Sequence, residues 1–351
     1  QLLVYIFLIK DNKKIMDKNK TVLVVGAGGF IAGHLIKRLL DNGNKVVACD
    51  IKPKEYWFQD FEEVENHYSM DMKEFVNCKK VTKNINYVFN MACNMGGMGF
   101  IENNRAECMQ SVLINTNMLI SCKEEKVEKY FFSSSACAYN TSKQQEVFIE
   151  GLKEEDAYPA DPEDGYGWEK LFSERMCRHF MEDYGIQVRI ARYHNIYGPY
   201  GTFDGGREKA PAALCRKVIQ SKLNNENKIQ VWGDGKQTRT FLYVDDCVEG
   251  TLRLFNSDYS HPVNIGSDEQ VSINQMIDII EDISENKKLE REYQLDKPKG
   301  VRGRSSNNEL IKKVLNWSYQ IKLKDGLKRT YDWIYSEIKK EGSNLSRFTK
   351  S

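Results

Sequence analysis

The fold of this chain is indicated by one stretch, Thr21-Val22-Leu23-Val24-Val25-Gly26-Ala27-Gly28-Gly29-Phe30-Ile31-Ala32. Its first five residues form an apolar, β-branched run typical of a buried strand, and apolar residues recur with helical spacing from Gly33 to Leu40. The glycines therefore lie at a strand-to-helix turn, where the backbone can approach a pyrophosphate beside the positive end of the helix dipole. The residues expected to hold a dinucleotide at this turn are Gly26, Gly29, Phe30 and Ile31.

A second apolar run, Lys45 to Cys49, ends in Asp50, at about the 20-residue distance where an acidic side chain meets a ribose diol. A carboxylate there would repel a 2′-phosphate, so Asp50 favours NAD over NADP. Asp71 and Met72 end the next short run. We expect this pair to flank the adenine, the alternative being that it is an ordinary strand terminus.

The alternation of strands and helices predicts an α/β fold, a Rossmann-type doubly wound parallel sheet. The further apolar runs of this sheet are Tyr87 to Met91, Tyr130 to Ser133 and Val188 to Arg192. After Pro199 the alternation fails, and short strands are mixed with helices. The predicted strands there are Ile229 to Trp232 and Pro262 to Ile265, and the predicted helices Ala210 to Ser221 and Ser272 to Ile283. This second part is expected to be a smaller C-terminal α+β substrate lobe.

These patterns predict four segments along the chain. Residues 16–198 form the NAD-binding Rossmann domain, and residues 199–340 form mainly the sugar-nucleotide-binding lobe, which ends in an amphipathic helix from Lys324 to Lys340. Residues 1–15 are expected to be an extension without catalytic consequence. Residues 341–351 are expected to be a frayed polar tail.

Composition excludes several functional classes. With 351 residues, 41% of them hydrophobic, the chain can bury a large core. Lys and Arg number 51 against 50 Asp and Glu, so no global field favours nucleic acid or an anionic membrane. The apolar run Gln1 to Ile9 is shorter than the about 20 residues that a bilayer crossing needs. The nine cysteines form neither a CxxC pair nor a metal-ligand spacing with the five histidines, which predicts free thiols in a reducing, cytoplasmic setting and no metal site.

A redox site is indicated by Ser134-Ser135-Ala136-Cys137 and Tyr166-Gly167-Trp168-Glu169-Lys170. Tyr166 and Lys170 are four residues apart and stack on one face of a helix, so the ammonium can lower the pKa of the phenol. Ser135 ends a strand, at the sheet edge that presents groups to a ligand, and can orient a substrate hydroxyl. An exposed Tyr/Lys pair is otherwise most often a solvated helix face.

Cys137 has no part in simple hydride transfer. Its presence two residues after the active-site hydroxyl suggests a second proton-transfer chemistry, whereas the commonest role of a free cysteine is that of a small buried hydrophobe. Lys209 would by itself be interpreted as surface charge. It follows Gly205-Gly206-Arg207-Glu208, a glycine-flanked loop that can close over a ligand.

Eight segments together resemble the GDP-mannose 3,5-epimerases, a family of extended short-chain dehydrogenases/reductases. They are Asn90 to Ala92, Met95 to Phe100, Ser134 to Cys137, Tyr166 to Lys170, Arg192 to Pro199, Gly205 to Pro211, Trp232 to Gly235 and Val301 to Arg304. The resemblance runs from about Thr21 to Ile334. Departures from the family pattern are Cys93 for Ala, Asn94 for Asp and Asn140 for Pro.

The resemblance implies NAD-dependent epimerisation of GDP-mannose at carbons 3 and 5 of the hexose through a 4-keto sugar. Tyr166, assisted by Lys170 and Ser135, would remove the proton of the carbon-4 hydroxyl, and the ketone would acidify the neighbouring C–H bonds. Cys137 and Lys209 map onto the family's acid and base, and which of them acts as base at each carbon stays open. The products would be GDP-L-galactose and, by inversion at carbon 5 alone, GDP-L-gulose. NAD would be tightly bound and regenerated in each turnover.

The resemblance also implies a substrate site, a dimer and a pathway. The implied substrate-binding residues are Gly96, Gly97, Met98, Ser135, Asn195, Lys209, Lys217, Gln237, Arg239 and Arg304, with Arg302 as the alternative to Arg304. Ala92 joins the cofactor-binding residues. The pattern from Asn103 to Lys123, with the helix that carries Tyr166, is expected to form a homodimer interface, and the pathway implied is L-ascorbate biosynthesis.

Three alternatives remain at this point. A nucleotide-sugar 4,6-dehydratase would carry an Asp-Glu pair where this chain has Ala136-Cys137. A simple 4-epimerase would need no Cys/Lys pair. A non-catalytic NAD-binding sensor or scaffold would not need Tyr166 and Lys170.

Overall fold

The computed structural model describes residues 16–285, 288–298, 300–340 and 346–349. Its strands are β1 (Thr21–Val25), β2 (Lys45–Asp50), β3 (Asn66–Ser69), β4 (Tyr87–Asn90), β5 (Lys129–Ser135), β6 (Gln187–Tyr193), β7 (Ile196–Tyr197), β8 (Lys228–Trp232), β9 (Thr238–Thr240), β10 (Leu242–Tyr243), β11 (Val263–Ile265), β12 (Gln270–Ser272), β13 (Glu290–Gln294) and β14 (Gly303–Arg304). The expected extension at residues 1–15 lies outside the described residues.

The helices connect these strands and cover the sheets. They are α1 (Phe30–Asp41), α2 (Phe75–Thr82), α3 (Met98–Asn103), α4 (Arg105–Met109), α5 (Ser111–Glu124), α6 (Asp164–Tyr184), α7 (Ala210–Asn224), α8 (Val244–Asn256), α9 (Ile273–Ser284), α10 (Glu309–Leu315), α11 (Leu323–Lys339) and α12 (Ser346–Thr349). Short 3₁₀ turns include Ala136–Ala138, Thr141–Gln144 and Glu154–Ala157. None of these helices is both long and apolar enough to cross a bilayer.

A seven-stranded parallel sheet in the order β11-β6-β5-β4-β1-β2-β3 forms the centre of the molecule. In β1, every residue after Thr21 is fully buried because helices cover both faces of the sheet. One face packs under α1 and α8, and the other under α2, α5 and α6. The predicted Rossmann-type fold is confirmed.

The strand order reverses beside β1, which lies between β2 and β4. The carboxyl ends of β1 and β4 therefore diverge into connections on opposite faces, and this divergence opens the crevice where doubly wound sheets bind ligands. The glycine turn follows β1, and Met91 and Ala92 follow β4. The topology thus places the predicted cofactor residues at the switch point.

The second lobe is built from small sheets over the carboxyl edge of the central one. β13 pairs with β8, β9 lies between β12 and β14, and β10 pairs with β7. Helices α7, α9 and α11 pack against one another in this lobe. Its mixed short strands and helices match the α+β architecture expected from the sequence.

Three sequence expectations about elements were wrong. The strand predicted at Pro262 to Ile265 belongs to the central sheet, where Val263 pairs with Ala191 of β6. The single pattern from Asn103 to Lys123 is divided among α3, α4 and α5, because Asn104 has non-helical dihedral angles. The expected frayed tail includes α12, whose Phe348 is buried against Phe203 and Trp333.

Candidate functional site

The glycine turn forms a close-packed cradle at the switch point. Gly26 has a φ of +80°, and a Cβ there would lie 2.8 Å from Cα of Ala92, so no side chain fits. Gly29 precedes α1, and its amide donates to the Gly26 carbonyl at 3.0 Å. The cradle places the N-terminal end of α1 beside the crevice, as the binding of a dinucleotide pyrophosphate requires.

Asp50 ends β2 and is tied to the glycine turn. Its Oδ2 accepts a hydrogen bond from the Gly28 amide at 2.9 Å, and its Oδ1 accepts one from the Lys52 amide at 2.9 Å. Burial raises the pKa of Asp50, and the hydrogen bonds and the Lys52 ammonium oppose that rise. Lys52 Nζ donates to the Gly28 carbonyl at 2.8 Å. Sequence reasoning did not identify Lys52, which no motif marks.

One cavity of about 990 Å³ runs along the switch point and gathers most of the predicted residues. The predicted residues that line it are Gly26, Gly29, Phe30, Ile31, Asp50, Asp71, Met72, Ala92, Ser135, Tyr166 and Lys209. Arg207 and Arg347 also line it and were not predicted. The arrangement is an elongated, mostly apolar site with the glycine turn along one side and Tyr166 and Lys209 among its other walls.

Tyr166 and Lys170 lie one turn apart near the start of α6 and are both buried. Burial raises the pKa of Tyr166 well above its ordinary value, and a hydrogen bond from the Ser135 hydroxyl opposes the rise. The lowering expected from Lys170 therefore does not outweigh burial. Burial lowers the pKa of Lys170, but the interactions with Cys93 and Glu169 together raise it by more than burial lowers it. The net shift of the Lys170 pKa is therefore upward.

The Lys170 ammonium lacks a hydrogen-bond partner among the described residues. Its Nζ lies 3.4 Å from Oε2 of Glu169 and 5.5 Å from the centroid of the Tyr166 ring. The Glu169 carboxylate compensates the charge of this ammonium, but its N–H groups still need acceptors, and the hydroxyls of a nucleotide ribose are acceptors of that kind. This orphaned donor, the glycine cradle and Asp50 together fit NAD.

Cys137 is buried next to Tyr166 and is not among the residues that line the cavity. Its backbone amide donates to Oγ of Ser135 at 3.2 Å, and Nη1 of Arg304 lies 3.5 Å from its Sγ. Burial raises the pKa of the thiol, while the Arg304 guanidinium opposes the rise. The net shift of the Cys137 pKa is upward, which favours the neutral thiol.

Lys209 ends the loop that begins at Gly205 and directly precedes α7. Burial lowers the pKa of its ammonium, and a negative charge on Cys137 or Cys93 would raise it. Lys209 lines the same cavity as Tyr166, and Cys137 packs against Tyr166. The thiol and the ammonium have opposite directions of pKa shift, and both shifts favour the neutral forms.

The glycine segment beside the site packs against this same loop. The Gly97 amide donates to the Arg207 carbonyl at 3.0 Å, and a Cβ on Gly97 would lie 2.4 Å from the Glu208 carbonyl oxygen. The sequence predicts a close approach of Gly97 to a hexose. In the structure, the close approach of Gly97 is to the loop that carries Arg207 and Glu208. Nη1 of Arg207 donates to Oδ1 of Asn94 at 2.9 Å, which holds the loop from the other side.

The remaining predicted substrate residues lie outside the large cavity. Lys217 Nζ donates to the Gln230 carbonyl, Asn195 Nδ2 to the Thr240 carbonyl, Gln237 Nε2 to the Trp232 carbonyl, and Arg239 Nη2 to the Val301 carbonyl. Oε1 of Gln237 is buried without a partner among the described residues. Arg302 is paired with Asp234 through two hydrogen bonds and lines a second cavity of about 710 Å³, which Glu163 and Gly300 also line.

Comparison with known proteins identifies one family, and the relatives described here are named as epimerases. The NAD dependent epimerase/dehydratase family matches residues 22–266. The GDP-mannose 3,5-epimerase of Arabidopsis thaliana is 46% identical over 339 residues, which cover 95% of this chain and 88% of that protein. GDP-mannose 3,5-epimerase 1 of Oryza sativa subsp. indica is 48% identical over 91% of this chain and 83% of that protein.

Among solved structures, a UDP-glucuronic acid 4-epimerase from Bacillus cereus, in complex with UDP-glucuronic acid and NAD, superimposes with a TM-score of 0.76. It is 25% identical and covers 90% of this chain and 99% of its own. The fold is therefore shared with a protein whose structure contains both NAD and a nucleotide sugar.

Proposed function

Because this chain belongs to the NAD-dependent epimerase/dehydratase family and to its GDP-mannose 3,5-epimerase branch, we propose that it inverts GDP-mannose at carbons 3 and 5 of the hexose. The products are GDP-L-galactose and, by inversion at carbon 5 alone, GDP-L-gulose. The observation that carries this proposal is the packing of Cys137 against Tyr166 together with the position of Lys209 in the lining of the cavity that Tyr166 also lines. Neither a dehydratase nor a 4-epimerase needs such a pair.

NAD is held by this chain's switch-point residues. Gly26 and Gly29 admit the pyrophosphate, Asp50 accepts from the ribose hydroxyls, and Lys170 donates to the second ribose. When bound, NAD supplies the reversible oxidation of the hexose at carbon 4. The enclosed cavity and the reversible chemistry favour a cofactor that stays bound and is regenerated in each turnover.

The side chains of this chain move the protons. Oη of Tyr166 accepts the proton of the carbon-4 hydroxyl, and Ser135 orients that hydroxyl through its own hydrogen bond. The raised pKa of Tyr166 means that a positive charge from the cofactor must join Lys170 in lowering it during turnover. Tyr166 and Lys170 are buried, which limits the access of water to the transfer.

Cys137 and Lys209 serve as the acid and base that invert the two neighbouring carbons. Inversion requires a proton to leave one face and to arrive at the other, so the pair must lie on opposite sides of the sugar ring. The lowered pKa of Lys209 makes its neutral amine easier to form, and the raised pKa of Cys137 keeps its thiol protonated as a proton donor. These directions of pKa shift suit a pair in which both groups are neutral before the reaction. In each inversion one group then takes up a proton and the other gives one up.

The nucleotide end of the substrate is assigned to residues of the second lobe. We propose that Lys217, Gln237, Arg239 and Asn195 contact the diphosphate and ribose, with Gly96 and Met98 beside the hexose. The unpartnered Oε1 of Gln237 supports this assignment. Arg304 is bound to Glu163 and Arg302 to Asp234, and we propose Arg304 for contact with phosphate, as the family resemblance implies, with Arg302 as the alternative.

We further propose a homodimer formed by α4, α5 and α6. Four large apolar side chains are exposed on these helices, Met109, Leu113, Trp168 and Phe172. A group of exposed apolar side chains on neighbouring helices is typical of an interaction surface.

All nine cysteines are free, which supports a reducing cytoplasmic compartment. The family resemblance also leads us to propose L-ascorbate biosynthesis as the pathway and residues 16–198 and 199–340 as the main functional segments.

Incubation of the purified protein with GDP-mannose, followed by chromatographic separation of the nucleotide sugars, tests the proposed activity. Conversion to GDP-L-galactose with a smaller amount of GDP-L-gulose is the expected result. A dehydrated 4-keto-6-deoxy sugar would identify a dehydratase instead, and inversion only at carbon 4 would identify a 4-epimerase. Recovery of unchanged GDP-mannose from NAD-loaded protein would contradict the proposal.

A further inference from the structure

The C-terminal turn α12 borders one end of the cofactor cavity. Ser346 and Arg347 of this turn line the cavity together with the glycine turn and Asp50. The guanidinium of Arg347 is half-buried and forms no hydrogen bond or ion pair with another described residue. A guanidinium on a cavity wall without a protein partner is available to an anionic ligand, and its planar fork matches phosphate oxygens.

Phe348, the next residue, anchors α12 to both lobes. Its buried ring packs against Phe58, which lies between β2 and β3, with ring centroids 5.5 Å apart. It also packs against Trp333 of α11 at 5.1 Å. The Phe348 carbonyl accepts hydrogen bonds from the amides of Phe203 and Asp204, at 3.1 and 3.4 Å. The turn is therefore attached both to the Rossmann domain and to the second lobe.

The contact with Phe58 identifies the end of the cavity at which Arg347 lies. The Phe58 amide donates to the Gly28 carbonyl at 3.3 Å. The Lys52 ammonium donates to the same carbonyl and lies 3.9 Å from the centroid of the Phe58 ring. α12 thus packs against a residue that is bonded to the glycine turn.

The anchor in the second lobe leads to the same end of the cavity. Phe203 follows Gly201 and Thr202, which both line the cavity. Gly201 packs against Phe30, the first residue of α1, since a Cβ on Gly201 would lie 3.3 Å from the Phe30 ring. Both anchors of α12 therefore converge on the start of α1, where the backbone amides and the helix dipole favour a pyrophosphate.

The charges at this end suit such a group. Lys52 and Arg347 both bring a positive charge to the cavity lining. Asp204, the acidic residue at the second-lobe anchor, lies 3.4 Å from the Arg216 guanidinium, so its charge is compensated there. A pyrophosphate carries negative charge on both phosphates, and a guanidinium can bind two of its oxygens at once.

We propose that α12 is a strap across the pyrophosphate end of the cofactor cavity and that Arg347 binds the pyrophosphate of NAD. This inference rests on the proposed placement of NAD at the glycine turn and adds a residue to those assigned to NAD above. Because the guanidinium must leave the phosphate oxygens before NAD can leave the cavity, the contact slows the release of NAD.

The test is the rate at which NAD leaves the NAD-loaded protein. Excess alcohol dehydrogenase with ethanol converts the released NAD to NADH, whose fluorescence is followed. The variants are Arg347→Gln, Arg347→Lys and Phe348→Ala, the last of which removes the anchor of α12. The matched control is Arg329→Gln, which changes an exposed arginine of α11 that lies beside Asp245.

Arg347→Gln should release NAD about tenfold faster, because hydrogen bonds between two charged groups are lost. Arg347→Lys keeps the charge without the fork and should fall between Arg347→Gln and the parent. Phe348→Ala should also release NAD faster, and Arg329→Gln should match the parent. Added salt should accelerate release from the parent more than from Arg347→Gln, since it screens the ion pair.

Equal release rates for Arg347→Gln and the parent would overturn the inference. If Phe348→Ala does not fold, the two Arg347 variants decide. ADP-ribose, which keeps the pyrophosphate and lacks the nicotinamide, tests the assigned contact by competition with NAD on the loaded protein. The ratio of the two affinities should be the same in Arg347→Gln and the parent. A shift of this ratio in favour of ADP-ribose would place Arg347 at the nicotinamide and contradict the pyrophosphate contact.

Turnover of GDP-mannose by the same preparations separates this inference from the proposed function. If NAD release changes as expected but the parent protein inverts no nucleotide sugar, the proposed function fails and the role of Arg347 stands. If the parent is active and Arg347→Gln changes only the KM for GDP-mannose, with NAD release unchanged, Arg347 acts on the substrate and the inference is wrong.

Discussion

The backbone amide of Gly28 donates a 2.9 Å hydrogen bond to Oδ2 of Asp50, joining the glycine turn after β1 to the end of β2. The carboxylate is thereby fixed at the wall of the cofactor cavity. This contact means that Asp50 organises the turn as well as offering an acceptor to a ribose.

Asp50→Asn should weaken NAD binding about tenfold, because the lost charge weakens hydrogen bonds that are worth about 1.5–3 kcal/mol each. The NAD content of the purified variant and its Kd for added NAD measure this loss. Asp60→Asn is the control, since that carboxylate is exposed and paired with Lys54. Unchanged NAD affinity in Asp50→Asn would remove Asp50 from the cofactor site.

Tyr166→Phe should reduce kcat for GDP-mannose by about 10²–10⁴-fold, the usual contribution of a general acid–base group. The hydroxyl is lost while the buried ring is kept, so the melting temperature and NAD content should stay near those of the parent. Tyr184→Phe changes an exposed phenol at the end of the same helix and should keep full activity. Comparable activity in the two variants would contradict the assigned role.

Reaction in heavy water should place deuterium at carbons 3 and 5 of the recovered nucleotide sugar. Cys137→Ala and Lys209→Met should each suppress this label, because the inversion of each carbon needs both an acid and a base. Cys122→Ala, which changes a fully buried cysteine of the opposite core, is the control. Retention of label at both carbons in Cys137→Ala would remove the thiol from the mechanism.

Phe172→Glu should convert the dimer into a monomer, because it places a charge in an apolar contact between two copies of α6. Sedimentation velocity of the parent and the variant measures the change. Val76→Glu introduces the same charge at an exposed position of α2 and should leave the oligomeric state unchanged. A monomeric parent protein would contradict the proposed interface directly.

The stability of the fold should fall as the pH drops below about 6.5, in part because of His194. Burial lowers the pKa of His194 to about 3, and its Nε2 contacts Oδ1 of Asn264 at 2.9 Å. Between these pH values the unfolded chain binds a proton that the folded chain does not. The free energy of unfolding therefore falls by about 1.4 kcal/mol for each pH unit.

Urea unfolding of His194→Gln at pH 6.5 and pH 5 measures this contribution. The variant should lose about 2 kcal/mol less than the parent over this interval, whatever its stability at pH 6.5. His179→Gln, at an exposed position of α6, should behave like the parent. Equal losses in His194→Gln and the parent would show that His194 does not titrate differently on unfolding.

The sequence predicts the central sheet well because buried parallel strands are continuous apolar runs, as in Val22 to Val25. It does not reveal β3, whose Asn66-His67-Tyr68-Ser69 carries no such run because it forms the sheet edge. It assigns Val263 to Ile265 to the wrong lobe because pairing with β6 is a long-range contact. Local patterns contain no information on which strand a short apolar run will join.

The candidate site likewise contains residues that local sequence patterns predict and residues that they do not. The switch-point residues were found because each follows a strand and therefore lies at one edge of the sheet. The positions of Arg304 and Glu163 could not be found in this way, since a buried ion pair between residues 141 positions apart leaves no local pattern. The contact of Gly97 with Glu208 is equally invisible in the sequence, although both belong to segments that the family resemblance marks.

The pairing of β11 with β6 has a consequence for synthesis on the ribosome. Residues 21–193 can assemble six of the seven sheet strands, but the seventh emerges only when the chain has passed Ile265. Until then the backbone groups of β6 form an open edge that can capture a strand of another nascent chain. A chaperone that shields this edge during elongation would raise the yield of native protein, and release of the polypeptide before Val263 would favour aggregation.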